Sequence, residues 1–230
     1  MRKTRSDAFT LLEMLTVMAV IAILAGLVLS VGGYATRTAA LKRAQGEIMM
    51  LTTACESYKS DNGGYPRDIP STGKSVTDVI SPKLNFTPTE SVYAASSLFL
   101  YKELTGDKKG TSTTPDGVPD DGEQRYMKEI EPRILNVKKD PSTRRIIQVN
   151  YLQDPFGFPY AYSTAAAKTE QDFQRKLKLG EKATRPSGGD LPGFNAGSFD
   201  LWSTGGSTPK SSPSTDSAKE LEWAKWRKNW

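Results

Sequence analysis

Three groups of side chains stand where residue type and spacing permit chemistry. Glu13 is the only charged residue in the apolar run from Phe9 to Val31. A carboxylate in such surroundings costs a few kcal/mol on membrane-insertion scales, and packed among apolar neighbours it needs a cation. Asp116, Asp120, Asp121 and Glu123 crowd a turn-rich stretch and suggest calcium. The EF-hand alternation of oxygen ligands at loop positions 1, 3 and 5 is missing, however, so a solvated surface loop is expected. Trp223, Trp226 and Trp230, spaced 3 and 4, fall on one face of a short helix, with Lys219, Lys225, Arg227 and Lys228 around them. Such a stripe binds a partner or a membrane surface; the expected arrangement is a helix docked on a sheet.

Composition removes most other chemistry. The 230 residues include 31 Lys+Arg, 26 Asp+Glu, no histidine and one cysteine. That length supports one ordinary domain, or one and a half. Without histidine the usual zinc and iron ligand sets and every Ser-His-Asp or Cys-His mechanism are excluded. Cys55 alone forms neither an intrachain disulfide nor a CxxC pair. A net charge of +5 with no basic block gives no nucleic-acid footprint. No Ser-Lys pair, carboxylate pair or glycine-rich phosphate loop stands at a useful spacing. No enzymatic activity and no catalytic residue are expected. A membrane-anchored or secreted periplasmic enzyme or binding protein remains the rival class.

The element that must position Glu13 is a long helix. Phe9–Val31 spans ~35 Å as a helix, enough for a ~30 Å hydrocarbon layer. Arg2, Lys3 and Arg5 precede it, which keeps the N-terminus cytoplasmic and exports the chain beyond the helix. A cleaved secretory signal is the competing reading, with Gly33-Tyr34-Ala35 as a loose cleavage site. Beyond Tyr34, Leu41, Ala44, Ile48, Leu51, Cys55 and Tyr58 recur at helical spacing, an apolar stripe that places Cys55 in a core. Asp61-Asn62-Gly63-Gly64-Tyr65-Pro66 ends the pattern. Phe9–Ser60 is thus expected as one rod of roughly 75–80 Å. Gly32-Gly33 within it reads equally as a hinge or as a point of close helix contact.

The remainder must fold against the second half of that helix. Ser91–Leu104 reads as a helix stopped by Gly106. Arg144–Leu152, Tyr160–Tyr162 and Ser198–Ser203 read as strands, the first two joined by the turn Asp154–Pro159. The expectation is an α+β chain in which one face of a small antiparallel sheet covers the helix stripe.

Ala8-Phe9-Thr10-Leu11-Leu12-Glu13 resembles the class III signal of type IV pilins and type II secretion pseudopilins. The resemblance implies a leader, residues 1–8, removed by prepilin peptidase between Ala8 and Phe9, and N-methylation of Phe9. The family prefers glycine before the cut; Ala8 is small enough for processing to be expected. Glu13 becomes the fifth residue of the mature chain, one helical turn from the new amine. In the family such a glutamate meets the N-terminal amine of the subunit already in place and sets the axial register, so Glu13 is the expected assembly residue.

Asp154-Pro155-Phe156-Gly157-Phe158-Pro159-Tyr160, then Phe199–Ser203 with Gly205, and the pair Asn229-Trp230 resemble the major pseudopilin of type II secretion. Residues 67–143 and Ala165–Asn195 carry no such likeness, which keeps open a minor pseudopilin or a pilin-like protein of another filament system. The resemblance implies a pilin-like fold divided into leader 1–8, transmembrane helix half 9–33, periplasmic helix half 34–60, a variable region 61–143, and sheet with C-terminal helix 144–230. It implies a single-pass inner-membrane subunit with a periplasmic domain. Its partners would be copies of itself, minor pseudopilins, prepilin peptidase, the inner-membrane assembly platform and the lipid bilayer. A type IV pilus subunit for adhesion or motility is the alternative, although the C-terminal disulfide loop common in adhesive pilins is impossible with Cys55 alone. Family members bind calcium in the loop after the last strand. Here that loop is Gly205–Ser217, where Asp216 is the one acidic candidate and Lys210 opposes it, so the site is expected to be lost or degraded.

Overall fold

The computed structural model describes residues 10–109, 114–127, 130–186 and 191–230, with the backbone alone at 28–32. The expected rod is a helix, α1, from Leu11 to Asn62. Gly63 ends it at φ +75°, its N–H donating to the Lys59 carbonyl at 2.8 Å. The backbone is helical through Gly32 and Gly33. The chain divides into two units after Ala40. In the first, the described side chains of 10–27 are all exposed. Among the described residues no helix is long and apolar enough to cross a membrane.

In the second unit the stripe on α1 behaves as its spacing predicts: Ala44, Ile48, Leu51 and Cys55 are buried, and Leu41 and Tyr58 half-buried. Ile48, Leu51 and Cys55 join a core with Leu100 and Leu104 of α2 (Ser91–Thr105), Val149, Leu152, Tyr162 and Leu201, and Tyr58 packs against it. Gly106 caps α2 at φ +74°, where its N–H reaches the Lys102 carbonyl at 3.1 Å. A Cβ there would sit 3.0 Å from that of Glu123, so the stop needs glycine for both conformation and space.

Among the described residues, two antiparallel sheets stand where a single sheet was expected. β1 (Leu135–Lys139) pairs with β2 (Ile146–Leu152), and β3 (Ala161–Ser163), β4 (Asp200–Ser203) and β5 (Arg227–Lys228) form the second sheet in that order. β1 lies inside the region expected to be variable, and its outer end, Lys138-Lys139, dilutes the strand pattern. β2 starts later than expected because Asp140–Arg145 is a tight turn. Asp140 Oδ1 accepts the N–H groups of Ser142 and Thr143 at 2.8 Å each, and Arg144 takes φ +61°. Between β3 and β4 the supposed insertion holds a helix, α3 (Ala165–Lys178), which buries only Ala165 and Ala166.

The tryptophan stripe is a correction. The last helix, α4 (Asp216–Lys225), stops before Trp226, which is extended (φ −75°, ψ 158°) and leads into β5. β5 pairs with β4, Trp202 opposite Lys228 and Ser203 opposite Arg227. Pairing β4's open edge satisfies strand carbonyls and amides, and here it outweighs continuing a short helix. The tryptophans are core nonetheless. Trp202 and Trp226 are buried and stack at 5.9 Å, with Trp223 and Trp230 packed against them.

Candidate assembly site at the helix N-terminus

Thr10 precedes the first helical residue, and Glu13 lies three positions on. The Thr10 N–H and its hydroxyl both donate to Glu13 Oε2, each at 2.9 Å. The Glu13 N–H donates to Thr10 Oγ1 at 3.2 Å. This is a reciprocal capping box, which satisfies two of the amides that every helix leaves open at its start. The Met14 N–H reaches the Thr10 carbonyl at 3.3 Å to open the helical ladder, and the Thr16 hydroxyl donates to the Glu13 carbonyl at 2.9 Å.

The carboxylate therefore has partners on its own chain, whereas the sequence pattern alone left it waiting for a cation. A carboxylate offers about four lone-pair sites, so the two Thr10 donors leave capacity for an ammonium as well. Thr10 was missed as a member of this site. The signal was present: a threonine followed three residues later by glutamate, ahead of an apolar run, is the sequence form of a capping box. Ala8 and Phe9, the expected cleavage and methylation residues, lie outside the described residues.

The other candidates have local roles. Asp216 opens α4, is 95% exposed and pairs with Lys219 at 3.3 Å. One exposed carboxylate already in an ion pair does not fit a calcium ion. Among the described residues no group of three or more acidic, histidine or cysteine residues is placed to hold a metal. Gly206, in the same loop, has φ +78°, and a Cβ there would come 2.8 Å from the Phe156 ring. A side chain at that position would strain the backbone and require the Phe156 ring to shift.

In the acidic loop, Asp116 accepts the Val118 N–H at 3.0 Å, and Asp120 accepts those of Lys108 and Lys109 at 3.0 and 2.8 Å. Glu123 pairs with Lys108 at 2.9 Å. The loop is tied down from within by Asp107, a buried carboxylate that accepts the Tyr101 hydroxyl at 2.6 Å and the Gly117 N–H at 2.7 Å. Burial and the Asp107 charge drive the Tyr101 phenol far above its ordinary value, so it stays a donor.

Residues 3–29 match the prokaryotic N-terminal methylation motif. The motif is the signal of type IV pilins and pseudopilins, and it supports a pilin-like subunit, anchored in a membrane, processed by prepilin peptidase and assembled into a filament. It spans the capping box and most of the apolar run, and ends before the globular unit begins. No curated protein and no solved structure matches the chain.

Proposed function

We propose that this chain is a structural subunit of the periplasmic pseudopilus of type II protein secretion and does mechanical work without bond chemistry. It waits in the inner membrane as a single-pass protein, N-terminus cytoplasmic and C-terminal unit periplasmic. Prepilin peptidase cuts between Ala8 and Phe9, the Phe9 amine is methylated, and Glu13 of an entering subunit pairs with the amine of the one already in place. The observation that carries the reading is the methylation motif at 3–29, with Glu13 held at the helix start inside it. The choice of secretion pseudopilus over adhesive pilus rests on the likeness of Asp154–Tyr160, Phe199–Ser203 and Asn229-Trp230 to the major pseudopilin.

Mass spectrometry of the protein from its native host tests the processing: an N-terminal methyl-phenylalanine at position 9 is expected, and an intact Met1 or a start near Thr36 refutes it. Deleting the gene tests the rest. Loss of exoprotein release with motility and adhesion intact is expected; the opposite pattern assigns the subunit to a pilus.

A further inference from the structure

Gly46 stands inside α1 with no use in its own subunit. A Cβ built on it meets nothing within 4 Å. Glycine weakens a helix interior relative to alanine, so the free chain is destabilised at a point where alanine would fit. Gly46 lies on the face of α1 turned away from Ile48, Leu51 and Cys55, and Met49, Met50 and Thr53 share its exposure. Met49 is 64% and Met50 39% exposed. Methionine is flexible and polarisable, and it adapts to the apolar surface that packs on it.

Beside this face runs a groove of about 280 Å³, between Arg43, Gly46, Glu47 and Met50 of α1 and the segment Glu131–Ile134. The four charged side chains of its lining are paired within the subunit. Arg43 meets Glu47 at 3.0 Å, and Arg133 meets Glu131. The hydroxyl of buried Tyr160 also donates to Glu47 Oε2, at 2.5 Å. The lining carries no net charge, so a charged occupant would lose water there without gaining a counter-ion. The groove suits an uncharged apolar helix whose backbone comes close at Gly46.

We infer that this groove receives the uncharged stretch of α1, Met14–Leu27, of a second copy of this chain. Three observations select that occupant. No residue from Met14 to Leu27 is charged, and all their side chains are exposed in the single chain. The methylation motif covers most of that stretch and supports assembly of copies into a filament. One helix, α1, carries both the stretch and the groove. Once a subunit leaves the bilayer, lipid no longer covers its apolar stretch, and burial against a neighbour takes over. A glycine at the crossing lets two helix backbones approach more closely than any side chain permits. Groove and occupant are different patches of one chain, so the contact is heterologous and propagates when the rotation does not close a ring. With the helices parallel, it offsets the two copies by ~30–50 Å along the axis. The inference rests on the filament reading above.

The test replaces Gly46 by alanine and by leucine in the full chain. In the free subunit in detergent, both variants should melt about 2–4 °C above the unsubstituted chain, because each removes a weak point in the helix. Filament yield should fall all the same, by at least about tenfold for Gly46→Leu and less for Gly46→Ala, because the close contact is overpacked. A variant that melts lower overturns the inference, since Gly46 would then serve its own subunit. Normal filament yield from Gly46→Leu overturns the contact and leaves the filament reading standing. A benzophenone-bearing phenylalanine in place of Met50 identifies the occupant. Irradiated filaments should give dimers in which position 50 is joined to a peptide within Met14–Leu27 of another subunit. No product, or products joined to another segment or another protein, overturn the choice of occupant. If the unsubstituted chain, carrying methylated Phe9, forms no filament, the filament reading fails and takes the contact with it.

Discussion

Asp154→Ala is expected to cost several times more stability than Asp154→Asn. Asp154 is 2% exposed. Its Oδ1 accepts the N–H groups of Phe156 and Phe158 at 2.9 Å each, and its Oδ2 accepts the hydroxyl of buried Ser203 on β4. The side chain thus closes the Asp154–Tyr160 turn and ties it to the second sheet. Burial pushes its carboxyl above the usual carboxylate range, against the opposing pull of Ser203 and the two amides. The site therefore values the acceptor oxygens more than the charge.

Asparagine keeps a carbonyl oxygen for both amides and offers an N–H to Ser203 Oγ. That oxygen already accepts the Gly205 N–H at 3.0 Å, so the Ser203 proton must find another acceptor, at about 1 kcal/mol. Alanine strands a buried hydroxyl and two half-buried amides, at about 1–3 kcal/mol for the hydroxyl and less for amides that water reaches, roughly 3–4 kcal/mol together. At about 2–4 °C per kcal/mol for a chain of this size, melting should fall by ~10 °C for alanine and ~3 °C for asparagine. Circular dichroism melting of the full chain in detergent reads both. Equal losses would refute the acceptor argument.

The pH dependence adds a sign. A carboxyl raised in the folded state binds its proton more tightly there than in the unfolded chain, so its contribution is most favourable below the ordinary value of ~4 and is lost as pH rises through the folded value. Asp154→Asn does not titrate, so the wild type's advantage should shrink from pH ~4 towards neutrality. An advantage that grows with pH would contradict the direction of the shift.

Leu51→Ala, at a fully buried position of α1, should cost about 3 kcal/mol in urea unfolding; a loss below ~1 kcal/mol would mean that the helix stripe is not core. Cys55 should resist alkylation at pH 8 in the native chain and react promptly once denatured, because burial disfavours its thiolate; rapid native labelling would contradict the packing. Glu13→Ala should leave membrane insertion unchanged and lower filament yield by at least about tenfold, equal to ~1.4 kcal/mol. Normal filaments from that variant, seen by electron microscopy, would remove the amine-pairing mechanism.

What the sequence disclosed tracks how many residues each signal spans. The stripe from Leu41 to Tyr58 repeats over many turns of one helix, and the structure buries it. Gly106 was legible as a stop because φ +74° is glycine's own region. The tryptophan spacing misled because three residues at 3 and 4 cannot distinguish a helix face from a helix end followed by a strand. The deciding element was β4, which offered an edge to Arg227-Lys228 from far away in the sequence. α3 escaped notice since its apolar content is small: its buried face is two alanines at the start, and the leucines at its end stay exposed. The capping box was legible and overlooked, because Glu13 was weighed against the membrane and not against Thr10.

The exposed apolar side chains at the start of α1 bear on how so sparse a polar site would govern assembly under the proposed function. Leu11, Leu12, Leu15, Met18, Ile23 and Leu24 are each more than half exposed. At about 1.5–3 kcal/mol for each such side chain fully buried, the six together represent on the order of 10 kcal/mol, as much as the whole stability of a typical domain. Water is not the resting place of that surface, and lipid and neighbouring copies compete to cover it. That attraction is non-directional: a helix slid along its neighbour by one turn buries nearly the same area. Register must come from a group whose energy changes steeply with position. Glu13 is the one charged residue in the run, and on the function proposed above the Thr10 donors would hold its carboxylate in an apolar layer until a cation arrived. Taking away the carboxylate therefore removes the register and keeps the attraction, so Glu13→Ala subunits should still gather in the membrane while failing to stack in line.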